Sequence, residues 1–176
     1  MTPQERQIVE KRCQTGTNEY VSVVKRMPLS YQLKTLSLSA IRLQGEDEVL
    51  RYYRMVEKIL GFKPGQVDIR IRKSGRGGGQ ASPWEKIVWL YSRSNLQTII
   101  HELVHILADN DTHVPGYKKE PVYDEFGYVR RRNDSIHNAG FTEWLMVAMD
   151  NVLEHAGELG IRVFSAEDVL NGKHWG

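Results

Sequence analysis

The sequence predicts an α+β fold, mostly helical with a small β-sheet, and three observations carry that expectation. Apolar residues recur at helical spacing over Glu46–Leu60, Leu96–Ala108 and Asn138–His155. Two shorter runs, Gln66–Arg72 and Lys86–Tyr91, have instead the alternation or the branched and aromatic content of strands. A chain of 176 residues with 40% hydrophobic and 26% charged residues is long enough for one good core and short for two. One domain over 1–176 is expected, with a helical part over 1–64 packing on or extending a core over 65–160.

The helical part begins at Thr2-Pro3-Gln4-Glu5, which combines an N-cap, a first-turn proline and a capping-box glutamate ahead of Ile8 and Val9, so residues 3–13 should be helical. Gly16 interrupts. Helix resumes over Asn18–Arg26 and stops at Met27-Pro28, since the residue before a proline avoids the helical region. Leu29–Leu43 has apolar positions at helical spacing, and Glu46–Leu60 is the clearest amphipathic helix of this part, closed by Gly61. Such stripes are ordinarily core, so this part should pack over the rest, although the same stripes would serve a partner.

In Gln66–Arg72, Val67, Ile69 and Ile71 fall on one side and Asp68, Arg70 and Arg72 on the other, the pattern of a half-buried strand. Ser74–Ser82 holds four glycines and reads as a turn. It lacks the Gly-Lys-Ser/Thr ending of a phosphate loop. The strand Lys86–Tyr91 leads into the helix Leu96–Ala108, which Ser94-Asn95-Leu96-Gln97 opens as a capping box and which Leu96, Ile99, Ile100, Leu103 and Leu107 bury. Asp109–Ser135 is a long polar loop, and loops of that length are usually functional or disordered. Asn138–His155 is a helix that Gly157 should cap, Ile161–Phe164 a short strand, Ser165–Leu170 a capped helix, and the last six residues a tail.

The chemistry centres on His101-Glu102-Leu103-Val104-His105. Four residues apart on a helix, the two imidazoles sit one turn apart on one face, close enough to grip one metal ion. Glu102 leans over the same edge and can hold a water, the layout of H-E-x-x-H metallopeptidases. Two histidines leave a tetrahedral zinc needing one more protein ligand, with the fourth position open. The candidates are His113, His137, Glu143, Asp109 and Asp111. Metzincins require glycine and histidine where this chain has Ala108 and Asp111, and Glu143 lacks the asparagine-glutamate pattern of gluzincins. His137 is favoured: it opens the next helix, Phe141 lies one turn on, and Gly140 lets helices approach.

His101-Glu102-Leu103-Val104-His105 followed by His137-Asn138-Ala139-Gly140-Phe141 resembles the H-E-x-x-H plus H-G-x-x-F arrangement of SprT-like zincins and their small stand-alone relatives in phages and bacteria. An amphipathic helix, an Ile-Arg-Ile-Arg strand, a Gly-Gln-Ala turn and a strand before the motif follow a similar order, so the resemblance covers residues 46–156. Asn138 stands where the family has glycine, and the zinc ribbon that many members use for DNA or partners is missing. The resemblance implies a zincin-like fold and zinc-dependent peptide-bond hydrolysis. His101, His105 and His137 would hold Zn2+, and Glu102 would take a proton from water and later protonate the leaving amine. Tyr117, Tyr123 and Tyr128 are candidate donors to the oxyanion. The strand before the motif helix would form the upper edge of the cleft, where an extended peptide adds as another strand.

A net charge of +2 argues against a surface built throughout for nucleic acid. Basic residues nevertheless cluster at Arg70, Arg72, Lys73 and Arg76 and again at Arg130, Arg131 and Arg132. Such runs are ordinarily solvated; the rival reading is a scaffold with a structural or vestigial metal that holds nucleic acid or protein. No apolar run approaches bilayer-crossing length, and the N-terminus lacks the basic-then-apolar pattern of a secretion signal. A cytoplasmic protein without membrane partners is expected, which disfavours cell-wall peptides as substrates. Cys13, the only cysteine, excludes an internal disulfide and a cysteine-based zinc ribbon.

Overall fold

The computed structural model describes residues 1–16, 18–73, 79–110, 122–123, 126, 129–130, 137 and 139–175. These residues form an α+β structure, mostly helical, with a small three-stranded sheet. In order come α1 (Pro3–Cys13), α2 (Asn18–Lys25), α3 (Leu29–Ser39), α4 (Glu46–Ile59), β1 (Asp68–Arg72), β2 (Gly79–Ser82), β3 (Ile87–Tyr91) and α5 (Leu96–Asn110). A two-residue ladder of β4 (Val122–Tyr123) and β5 (Val129–Arg130) follows, then α6 (Ala139–Leu153), α7 (Ala156–Leu159), α8 (Ala166–Leu170) and a 3-10 turn over Lys173–Trp175.

The expected capping box of α1 forms: Thr2 Oγ1 accepts from the Glu5 backbone N–H at 3.1 Å, and Glu5 Oε1 accepts from that of Thr2 at 3.1 Å. Ser165 and Asp168 close the same reciprocal pair on α8. The box expected at Ser94 does not form. Asn95 caps α5, its Oδ1 accepting from the Thr98 N–H at 2.9 Å, while Ser94 Oγ accepts from the Tyr91 N–H at 3.0 Å and tightens the turn out of β3. A one-residue shift of the cap leaves Gln97 without a capping task.

β3 is the central strand. β1 pairs with it in parallel, Asp68 opposite Ile87 through Arg72 opposite Tyr91, and β2 pairs antiparallel, Gly79 opposite Leu90 through Ser82 opposite Ile87. Two expectations change here. Gly79–Ser82 is an edge strand rather than part of a turn, because ladder pairing to β3 outweighs the poor strand propensity of Gly and Ser. The tight turn lies further on, where Lys86 takes φ 55 and donates its N–H to the Pro83 carbonyl. With β3 paired on both sides, the strand before α5 has no free edge for an added peptide; the edges belong to β1 and β2.

Other boundaries move for equally local reasons. α3 stops at Ser39, short of Leu43, and the chain then pairs Arg42 with Asn95 as a single bridge. Ile161–Phe164 forms no strand; the Phe164 N–H is instead drawn to Ser37 Oγ on α3 at 2.8 Å. Gly160, at φ 67, terminates α7, whereas Gly157 lies within it. Lys173–Trp175 is a packed turn rather than a tail, with His174 buried. Much of the expected 109–135 loop lies outside the described residues; within it, Asp109 and Asn110 extend α5, and 122–123 pairs with 129–130.

Two apolar clusters hold these elements. The larger joins α4, α5, α6 and the inner side of the sheet, with Tyr53, Leu90, Leu103, Phe141 and Met149 fully buried. Val23, Met27 and Leu38 of the N-terminal part belong to it. The smaller joins Val9, Cys13, Val24 and Leu33 to Phe164 and Val169, so α1 packs against α8 near the other end of the chain. No described helix is long and apolar enough to cross a membrane.

Candidate metal centre

His101 and His105 project from α5 one turn apart, and His137 stands two residues before α6. Packing of α5 on α6 brings the three together. His137 Nε2 lies 3.1 Å from His101 Nε2 and 3.1 Å from His105 Nε2, and the ligand atoms of all three lie within 4.8 Å of one another. Adjacent nitrogens on a tetrahedral zinc with bonds near 2.0–2.1 Å are separated by about 3.3 Å. The two separations from His137 are close to that value. Three histidines are thus close enough to hold a metal ion.

Phe141 sets this geometry. Fully buried on α6, its ring stacks on His105 at 4.4 Å between centroids and meets His101 at 5.0 Å and His137 at 5.1 Å edge-on. One aromatic side chain therefore limits the rotation of all three imidazoles. His137 is also held by Arg26, just beyond α2, whose guanidinium donates to the His137 backbone carbonyl. The N-terminal part thereby supports the third ligand, a role its amphipathic pattern did not announce.

Desolvation, with His137 nearby, pushes the His101 imidazole down to about 3; desolvation, with His101 and His137 nearby, pushes His105 well below the ordinary histidine range. Both rings are neutral at pH 7, the form that offers a lone pair to a metal. Glu102 is buried beside them at 7% exposure, and its Cγ approaches Gly79 of β2 so closely that a Cβ there would lie 3.2 Å from it and 2.9 Å from the Trp89 carbonyl oxygen. Gly79 is thus needed for close approach, and β2 confines the glutamate.

His101, Glu102 and His137 line one end of a cavity of about 900 Å³. Gln97, Thr98 and Arg12 of α1 line it too, as do Tyr20 and Ser39, whose hydroxyls bond at 3.0 Å. Gln97 is 1% exposed, and neither Nε2 nor Oε1 has a hydrogen-bond partner among the described residues. Leaving a buried amide unmatched costs about 1–3 kcal/mol.

Of the other candidate ligands, Glu143 is exposed on α6 and outside the cluster. His113 and Asp111, the side chain of Asp109, Tyr117, Tyr128, the side chain of Tyr123, and Asn138 lie outside the described part of the chain. Arg70 and Arg72 sit on the outer side of the sheet, their guanidinium carbons 5.9 and 5.7 Å from the Trp89 ring, and neither lines the cavity. Lys73 is exposed; Arg76, Arg131 and Arg132 and the side chain of Arg130 are outside the described set. Gln97 and Gly79 were missed from sequence. Gln97 carried a signal, the spacing of four before His101; Gly79 carried none, being one of several glycines in a row. Comparison with family models, curated proteins and solved structures returns no match for this chain.

Proposed function

We propose that the protein is a zincin-like, zinc-dependent metallopeptidase, with His101, His105 and His137 as metal ligands and Glu102 as the general base. The carrying observation is the convergence of His101, His105 and His137, with His137 Nε2 3.1 Å from Nε2 of each of the other two, beside a cavity that His101, His137 and Glu102 line. A set of three imidazole nitrogens suits zinc, which when bound would supply Lewis acidity that activates water and polarises a carbonyl. Glu102 accepts the proton of the attacking water and returns it to the leaving amine. Its confinement by β2 limits the arc over which the carboxylate can swing. Phe141 keeps the ligand rings from turning away, and Arg26 keeps the His137 backbone in place.

The test is zinc content by elemental analysis, followed by digestion of unfolded casein by zinc-loaded protein and by Glu102→Gln. One zinc per chain and cleavage that falls by about 10²–10⁴ in the variant are expected, the usual size of a lost general base. Stoichiometric zinc with no cleavage by the wild type on any unfolded protein rejects the peptidase reading.

A second reading is favoured by one observation: Arg70 and Arg72 bracket Trp89 on the solvent side of the sheet, the pairing of cation and aromatic surface that holds single-stranded nucleic acid. In that case the metal is structural. Retention of single-stranded DNA that weakens with salt and is lost in Arg70→Ala/Arg72→Ala supports it; retention unchanged by that pair rejects it.

A further inference from the structure

We propose that Gln97 binds a backbone amide of the substrate beside the bond that is cut, so that the site selects an extended polypeptide over a phosphate ester; this rests on the peptidase reading above. Gln97 lies on α5 one turn before His101, so its side chain leans along the helix face that carries both metal-ligand histidines. It lines the same cavity as His101, Glu102 and His137. The cap of α5 does not require it there: Asn95 supplies that cap, and neither polar atom of Gln97 has a partner among the described residues although the residue is 1% exposed. A buried amide with both a donor and an acceptor unmatched is a poor structural choice and a good binding one.

The chemistry of the group specifies what matches it. A carboxamide presents N–H and C=O side by side, and a residue of an extended chain offers the complementary pair, its own C=O and N–H, along one edge. A phosphate ester offers acceptors only, which would leave Gln97 Oε1 unmatched. A protein substrate that pairs with Gln97 satisfies a group already desolvated, while a ligand without an amide leaves it unsatisfied, so discrimination is strong.

Gln97→Met, which keeps length and removes both polar atoms, tests this in two backgrounds. In the Glu102→Gln background, binding of fluorescein-labelled unfolded casein to zinc-loaded protein is measured by anisotropy; in the wild-type background, kcat/KM on casein is measured. Zinc affinity and the thermal midpoint are recorded for both. The expected result is casein binding and kcat/KM each reduced at least tenfold, zinc affinity unchanged, and a thermal midpoint equal to or above that of the parent because an unmatched buried amide has gone. Gln97→Glu, which keeps the acceptor, should recover part of the binding. Unchanged casein binding and cleavage in Gln97→Met overturns the role of Gln97 while leaving the peptidase reading in place. A loss of zinc affinity that accounts for the loss of casein binding makes Gln97 an orienter of His101 and also overturns it. Wild-type protein that neither binds nor cleaves casein but hydrolyses bis-p-nitrophenyl phosphate overturns both.

Discussion

The two sides of α5 are both buried, yet they are buried on different terms. One side, Leu96, Ile99, Ile100, Leu103 and Val104, is apolar and meets α4, α6 and the sheet within the larger cluster. Its burial is favourable by about 1.5–3 kcal/mol per large side chain. The other side, Gln97, His101, Glu102 and His105, is polar, and three of these four are under a tenth exposed. Removing such groups from water is unfavourable unless partners repay it. Here the imidazoles are held in their uncharged form, and the carboxamide of Gln97 is left unmatched. A helix needs only its apolar side to fold. Burial of the Gln97 carboxamide costs stability, and under the proposed function a bound substrate offsets that cost.

The sharpest way to break this contrast is through Phe141, the residue that touches the polar side from the core. Phe141→Ala should lower unfolding stability by about 3–5 kcal/mol and abolish stoichiometric zinc, because the same ring fills the core and fixes the three imidazoles; denaturant unfolding with parallel metal analysis reads both losses. Leu103→Ala removes a fully buried side chain from the apolar side alone. It should cost about 2–5 kcal/mol in the same unfolding measurement, yet the folded fraction should still carry one zinc per chain. Loss of metal from fully folded Leu103→Ala would show that the two sides are not separable.

Chelation acts on the polar side alone. Removing zinc held at 100 times its Kd should lower stability by about 2.7 kcal/mol, seen as a thermal midpoint that falls with EDTA and recovers when zinc is returned. A midpoint indifferent to EDTA would mean that the histidines hold no ion in solution. The smallest expected effect is at the margin of the polar side. Gly79→Ala places a Cβ 2.9 Å from the Trp89 carbonyl oxygen and 3.2 Å from Glu102 Cγ, so β2 or the glutamate must shift. About 1–3 kcal/mol of stability should be lost, with casein cleavage falling further than zinc content.

Much of this contrast could be read from sequence. The spacing of Leu96, Ile99, Ile100 and Leu103 declared a core helix, and His101 with His105 declared a pair on one face, because a helix converts spacing directly into direction. The caps of α1 and α8 were legible for the same reason: the interaction spans three residues and needs no other part of the chain. The cap of α5 was misplaced by one residue, since Ser94 and Asn95 are both good caps and the choice depended on Ser94 Oγ being drawn to the Tyr91 N–H. β2 was hidden because its glycines read as a turn until a partner strand is present to pair with them.

By itself the sequence determined the mostly helical class with its small sheet, the two histidines and the glutamate that share one helix face, and the short list from which a third ligand is drawn. All of these are local, set by the fixed 3.6-residue and two-residue repeats of the backbone. Only tertiary structure decided that His137 reaches 3.1 Å from both helix histidines, that Phe141 packs on the triad while Arg26 holds the His137 carbonyl, and that β3 is central with β1 and β2 as edges. It alone left Gln97 buried and unmatched in the same cavity as Glu102. These are contacts between residues far apart in the chain, fixed by how α5, α6 and the sheet pack, and no local periodicity encodes that packing.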